Sequence, residues 1–155
     1  MKFVPVDLSN NLATCLDFRK DAYRVTFGNT EGYCEKATLQ WFKNLETYED
    51  AGFFHLMDGD IFAGQLEFRN KLIDGDGTLF GYINLFYLSP RYRHHGLGEM
   101  MQAFAFEAFK AKGCKKARLR FYWRNDIGKA FYLKHGWKPV GSEGERGQLM
   151  EKILS

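Results

Sequence analysis

The apolar positions of this chain change period several times, and each change predicts an element. Residues 2–7 read as a short strand. Ser9, Asn10 and Asn11 offer helix caps. Leu12, Cys15, Leu16, Arg19 and Tyr23 then follow at helical spacing, predicting a helix to about residue 26. The stretch 27–32, with two glycines, breaks it. Cys34, Ala37, Trp41, Leu45 and Tyr48 mark a second helix to about residue 50. Phe53 to Met57 is a short apolar run, Asp58-Gly59-Asp60 a hairpin turn signal, and Ile61 to Phe68 its partner strand. Strand side chains alternate, so Phe62, Leu66 and Phe68 are expected on one face and Gln65 and Glu67 on the other. After a loop at 74–77, Leu79 to Leu88 is a long apolar strand ended by Ser89-Pro90. Leu97, Met100, Met101, Phe104, Ala105, Ala108 and Ala111 pattern an amphipathic helix, stopped by Gly113. Ala117 to Trp123 reads as a strand and Asn125 to His135 as a short helix. Trp137 to Val140 and Gln148 to Leu154 read as closing strands around a glycine-rich turn. The predicted order is β-α-α-β-β-β-α-β-α-β-β. Its central strand-helix-strand unit implies one parallel pair in an otherwise antiparallel sheet, an α+β fold.

Composition narrows the class. A chain of 155 residues with 45% apolar content predicts one globular domain over 1–155 with a real core. Fifteen phenylalanines fill that core and leave enough aromatic surface to line a pocket. A net charge of +3 without long basic runs argues against nucleic acid as a partner. No apolar run is long enough to span a membrane, and the N-terminal pattern is that of a strand, not a targeting signal. The cysteines are three, widely spaced and without a metal-ligand pattern, so free thiols, no metal and a cytoplasmic setting are expected.

The most informative segment is Arg93-His94-His95-Gly96-Leu97-Gly98. A buried strand ends, a basic turn follows, and two glycines lead into a helix. The first amides of a helix lack internal partners and carry the positive end of its dipole, so such a turn suits phosphate or pyrophosphate. A P-loop would need Gly-Lys-Ser/Thr here, which is absent. A dinucleotide fingerprint would need a third glycine where Met101 stands, and an acidic residue where the next strand instead ends in Tyr122-Trp123-Arg124.

The segment from Leu88 to Gly98 resembles the acetyl-CoA signature of the GNAT N-acetyltransferases, Arg/Gln-x-x-Gly-x-Gly/Ala after a strand ending in a Val/Leu-x-Pro step. Asn125 to Trp137 is similar to a second segment of that family, Asn-x-x-Ala-x-x-x-Tyr-x-x-x-Gly-Phe, with Gly128 for the usual Ala and Trp137 for the usual Phe. The resemblance implies a sheet whose central parallel pair splays around the cofactor, with helices on both faces. It implies acetyl-CoA as cosubstrate and direct acetyl transfer to a primary amine. Pyrophosphate would rest on Arg93, His94, His95, Gly96, Leu97 and Gly98, and the pantetheine arm on Phe86, Leu88 and Asn125. Tyr132 corresponds to the family's tyrosine near the thioester sulfur, a general acid for the leaving thiolate.

The family pattern does not fix a general base. Glu67, on the strand beside the cofactor strand, is the expected one, with Asn84 and Gln65 orienting substrate or water. The first two helices usually shape the acceptor site in this family. Here they bring Tyr23, Phe27, Tyr33 and Trp41, with Glu31 and Glu35 nearby. A small amine held by aromatic and acidic groups is expected, with Phe27, Tyr33 and Asn84 as substrate contacts. Polyamines, aminoglycosides, amino-acid derivatives, and protein N-termini or lysines all remain open. So do a non-catalytic acyl-CoA-binding module, a nucleotide-binding protein and a homodimer.

Overall fold

The computed structural model describes residues 1–155. Its elements are β1 (Lys2–Pro5), α1 (Leu8–Phe27), α2 (Glu35–Thr47), β2 (Ala51–Asp58), β3 (Ile61–Ile73), β4 (Leu79–Leu88), α3 (Leu97–Ala111), β5 (Lys116–Phe121), α4 (Asp126–Lys134), β6 (Lys138–Gly144) and β7 (Gly147–Ile153). This is the order the hydrophobic pattern predicts. The cap of α1 differs. Asp7 is the N-cap, accepting the Asn10 amide, while the Ser9 hydroxyl and Asn10 side chain bond to Asp7 as well. Asn11 then departs from helical angles, which kinks the first turn. Cys34 caps α2 through its sulfur, which accepts the Ala37 amide at 3.4 Å.

The strands form one sheet in the order β1-β2-β3-β4-β5-β7-β6. Every neighbouring pair is antiparallel except β4 with β5. That parallel pair runs only from Phe80 opposite Lys116 to Ile83 opposite Leu119. Beyond it β4 keeps β3 on one side, to Leu88, and β5 keeps β7, to Phe121. The sheet therefore opens between β4 and β5.

Two bulges re-aim side chains. Leu56 pairs with Gly64 but Met57 pairs with Phe62, so Ala63 is an extra residue on β3. Alternation breaks there. Phe62 lies edge-on to His55, 4.9 Å between rings, and His55 is bonded to Gln65. Phe62 thus shares the face of Gln65, not the expected face of Leu66 and Phe68. The second bulge sits in β4. Glu67 pairs with Leu85 and Phe68 with Ile83, leaving Asn84 as the extra residue.

One face of the sheet packs under α3. Met101, Ala105 and Phe109 are fully buried there in one cluster with Leu66, Phe68, Ile83, Ala117 and Leu119. Trp137 and Tyr132 join the same cluster and attach α4 to it. The other face lies under α1 and α2, and carries Gln65, Glu67 and Tyr87. No helix is long and apolar enough to cross a membrane.

Candidate active site

The opening between β4 and β5 leads into a cavity of about 890 Å³. Its walls come from α1, the start of α2, the second half of β4, the turn into α3, the end of β5 and α4. Because β5 has diverged, the edge of β4 past Ile83 has no strand partner on this side. Backbone amides and carbonyls there remain free for a ligand. Asn84, Phe86 and Leu88 all line the cavity, and the Leu88 carbonyl already accepts Arg93 Nε at 2.9 Å.

The turn into α3 is built for an anion. His94 (φ 65°) and Gly96 (φ 78°) both adopt left-handed angles. Such an alternation points successive amides to one side. None of the amides of His94, His95, Gly96, Leu97 and Gly98 donates to a backbone carbonyl outside regular structure. Being ahead of or at the start of α3, they have no intrahelical acceptor either. Gly98 serves a different purpose: a Cβ there would sit 2.7 Å from the Phe131 ring, which packs across the helix start. Arg93, His94, Gly96 and Gly98 line the cavity, whereas the Leu97 side chain is buried in the core and His95 is not part of the wall. Arg93 is held by protein partners. Besides Leu88 it contacts Asp21 at 3.3 Å and lies over the Tyr87 ring. Tyr87 donates its hydroxyl to the same Asp21 at 2.5 Å.

Tyr132 lines the cavity from α4, with its ring edge-on to Phe121, Phe131 and Trp137. Burial pushes its phenol well above the ordinary tyrosine range. It therefore stays protonated at neutral pH and can donate. Asn125 caps α4 by accepting the Gly128 amide at 3.0 Å and also lines the cavity. A Cβ at Gly128 would lie 3.0 Å from Asn125 Nδ2 and 3.2 Å from Tyr132 Cε2. The glycine therefore lets cap and phenol come close together.

On the side of α1, Tyr23, Phe27 and Tyr33 line the cavity as an aromatic cluster. Phe27 also packs on Tyr122 at 5.0 Å, closing the far wall. The Tyr33 hydroxyl and Asn84 Oδ1 are buried without a hydrogen-bond partner. Glu31 and Glu35 are exposed and do not line the cavity. Neither does Glu67, which is wholly buried behind Arg19. Its carboxylate accepts both Arg19 nitrogens, Trp41 Nε1 at 2.6 Å and Gln65 Nε2 at 2.9 Å. Gln65 Oε1 in turn accepts from His55 Nε2 at 2.8 Å, and Cys15 Sγ lies 3.6 Å from the same ring nitrogen. Trp41 and Gln65 thus belong to a buried polar chain whose outer end, Arg19, is the part that reaches the cavity.

A comparison with protein-family models matches residues 14–137 to the acetyltransferase (GNAT) family. The chain belongs to that family. Among curated proteins, a spermidine N(1)-acetyltransferase of Thermoplasma acidophilum is 33% identical over 88 residues, 50% of this chain and 54% of that protein. The chain thus matches about half the length of that curated relative. Among solved structures, the PaiA N-acetyltransferase of Thermoplasma acidophilum in complex with coenzyme A superposes with a TM-score of 0.78 at 20% identity, over 99% of this chain and 98% of that one. A ribosomal-protein-alanine N-acetyltransferase of Brucella melitensis gives 0.75 at 15% identity, over 99% and 100%. At these identities the likeness is one of fold.

Within the GNAT fold the structure adds wall residues that motif reading did not select: Arg19, Thr26, Thr38, Arg120 and Tyr122. Arg19 and Thr26 sit on α1 between core positions, where spacing alone does not say which side meets a cavity. Arg120 does carry a signal. It is the last of three alternating cations, Lys116, Arg118 and Arg120, and stands just past the last residue of β5 paired to β4.

Proposed function

We propose that this protein transfers the acetyl group of acetyl-CoA to the primary amine of a small molecule, by direct attack in a ternary complex. The observation that carries this reading is the open edge of β4, flanked by the free amides of the α3 turn on one side and the Tyr132 phenol on the other. The amides of residues 94–98 would bind the pyrophosphate, and the β4 edge would pair with the pantetheine arm beside Phe86, Leu88 and Asn125. The acceptor amine would enter from the side of Phe27, Tyr33 and Asn84.

The amine nitrogen attacks the thioester carbonyl, forming the C–N bond. A backbone N–H on the free edge of β4 steadies the oxyanion. The C–S bond then breaks, and Tyr132 donates its proton to the leaving thiolate. Glu67 does not take the amine's proton in this mechanism, because Arg19, Trp41 and Gln65 already occupy its oxygens. Its part in this reading is to position Arg19. The amine reacts as the free base drawn from solution, its surplus proton passes to water, and water returns a proton to Tyr132 so that the phenol is restored for the next turnover.

Calorimetric titration with acetyl-CoA, with ATP and NAD in parallel, followed by thiol-release assays on an amine panel, tests this function. Binding of acetyl-CoA alone with amine-dependent thiol release is expected. Preference for ATP or NAD, or binding without release for any amine, would overturn it.

A further inference from the structure

A second cavity of about 340 Å³ adjoins the main one on the α2 side of the sheet. Asn84 and Arg120 line both, so the two share a wall at the β4 bulge. The second cavity carries Arg69, Arg118 and Arg120, and no carboxylate. These arginines converge because Arg69 lies opposite Tyr82 and Tyr82 opposite Arg118, three side chains in one row across the sheet. Arg120 follows two residues on, on the same face.

The three cations are not equivalent. Arg118 is neutralised by Asp74 at 2.6 Å and Glu151 at 2.8 Å. Arg69 and Arg120 have no ion pair. Arg69 lies over the Tyr48 ring at 3.9 Å, and its Nε is buried with no acceptor. Asp50 is near enough to feel Arg69 but is bonded to Lys112 at 2.9 Å. On the shared wall, Asn84 Oδ1 is buried with no donor.

Buried polar atoms without partners are costly and rare, and they cluster where a ligand completes them. Here one unfilled acceptor, Asn84 Oδ1, lies on the shared wall, one unfilled cationic donor, Arg69 Nε, lies in the second cavity, and the exposed Arg120 stands between them without an ion pair. The acceptor fits an N–H. The guanidinium groups fit a carboxylate or phosphate, which they bind in a fixed planar geometry. A cavity whose lining charges are all positive, two of them without an ion pair, also attracts anions.

We propose that the acceptor is a small zwitterionic amine, its amino group at Asn84 beside the free edge of β4 and its carboxylate or phosphate between Arg69 and Arg120. This rests on the acetyl-transfer reading and narrows its substrate. It runs against a polyamine, whose several positive charges would face Arg19, Arg69 and Arg120 with no wall carboxylate beside them on this side. The sequence-based expectation of acidic groups around the amine is replaced by a polar oxygen for the amine and cations for the far end.

Paired acceptors test it. Thiol release is followed for β-alanine against β-alaninamide and for phosphoethanolamine against ethanolamine, with spermidine as the polycation. The anionic member of at least one pair is expected to have the higher kcat/KM, by about tenfold or more, and the pair that shows it identifies carboxylate or phosphate as the group recognised. Arg69→Gln and Arg120→Gln should each bring that ratio toward one, with Arg69→Lys retaining part of it. The ratio is taken within one variant, so loss of folded protein cancels. Neutral members or spermidine matching the anionic amines, or a ratio untouched by both variants, would overturn the proposal. Absence of acetyl-CoA binding together with absence of release for every amine would instead remove the acetyl-transfer reading beneath it.

Discussion

At the scale of single residues, the site depends on groups whose protonation is set by burial. Tyr132 is enclosed by Phe121, Phe131 and Trp137, and desolvation holds its proton. Tyr132→Phe keeps the ring packing and removes only the donor, so kcat should fall by roughly a hundredfold, the lower end of general-acid effects. The acetyl-CoA dissociation constant should stay close to that of the wild type. Single-turnover thiol release and calorimetry separate the two, and an unchanged kcat would deny the phenol this role. The cysteines divide by the same physics. Burial first, and then the Glu67 charge, push the Cys15 thiol up to about 12, and Cys114 is also buried and raised. Cys34 is exposed. Since the thiolate is the reactive form, a maleimide should modify one thiol per native molecule quickly and the other two only on unfolding. Mass spectrometry of labelled peptides reads this directly, and rapid labelling at Cys15 would contradict the packing around His55.

At the scale of elements, hydrophobic period gave the number, type and order of helices and strands, because each apolar set faces one core. The turn between β4 and α3 was legible as a candidate anion site because its glycines and its place between strand and helix carry a local physical meaning. What the period could not show were the bulges. Ala63 and Asn84 each add one residue that no pattern of apolar positions marks, yet one turns Phe62 to the other face and the other sets Asn84 on the cavity wall. Glu67 was correctly placed opposite Leu66 and Phe68, but its burial under Arg19 and Trp41 depends on how α1 and α2 pack, which is non-local. The two turn glycines make separable predictions. Gly96→Ala meets no atom within 4 Å but forces a side chain into a left-handed angle, at about 1–2 kcal/mol. Gly98→Ala must displace the Phe131 ring, at about 1–3 kcal/mol for an overpacked contact. Both should lower the unfolding midpoint. Gly96→Ala should weaken acetyl-CoA binding through the turn amides, whereas Gly98→Ala should also lower kcat, since Phe131 packs on Tyr132 and on Phe86 of β4. Denaturant melts paired with acetyl-CoA calorimetry and kcat measurements decide between these outcomes.

At the scale of the whole molecule, one buried polar chain ties the outer helices to the sheet. It runs from Cys15 on α1 through His55 on β2 and Gln65 and Glu67 on β3, and ends at Arg19 on α1 and Trp41 on α2. Glu67 is its charged centre, accepting from three different side chains. Glu67→Ala would leave the Arg19 cation and two neutral donors unpaired, so a loss of about 3–5 kcal/mol is expected, read as a lower denaturation midpoint. His55 gives the chain a pH dependence. Desolvation is the largest influence on it and lowers its pKa, outweighing the Gln65 bond and the Glu67 charge, which favour the imidazolium. A histidine near 6.5 in the unfolded chain therefore takes up a proton more readily there than in the native protein. The unfolded state binds more protons, so native stability is fully present above about pH 6.5. It falls as pH drops toward the native pKa, by at most about 1.4 kcal/mol per pH unit from this one group. The carboxylates Asp7, Asp50 and Asp74, whose pKa values lie below the ordinary value, lose their contribution only as pH falls below about 4, well under the pH at which the His55 effect begins. Melting temperatures measured from pH 8 to pH 5 should decline for the wild type below about pH 6.5. In His55→Gln, which replaces the ring with a neutral hydrogen-bonding side chain, the midpoint should start lower and decline less over that range. Parallel slopes for the two proteins would mean that the acid sensitivity arises elsewhere and that the chain from Cys15 to Arg19 does not titrate.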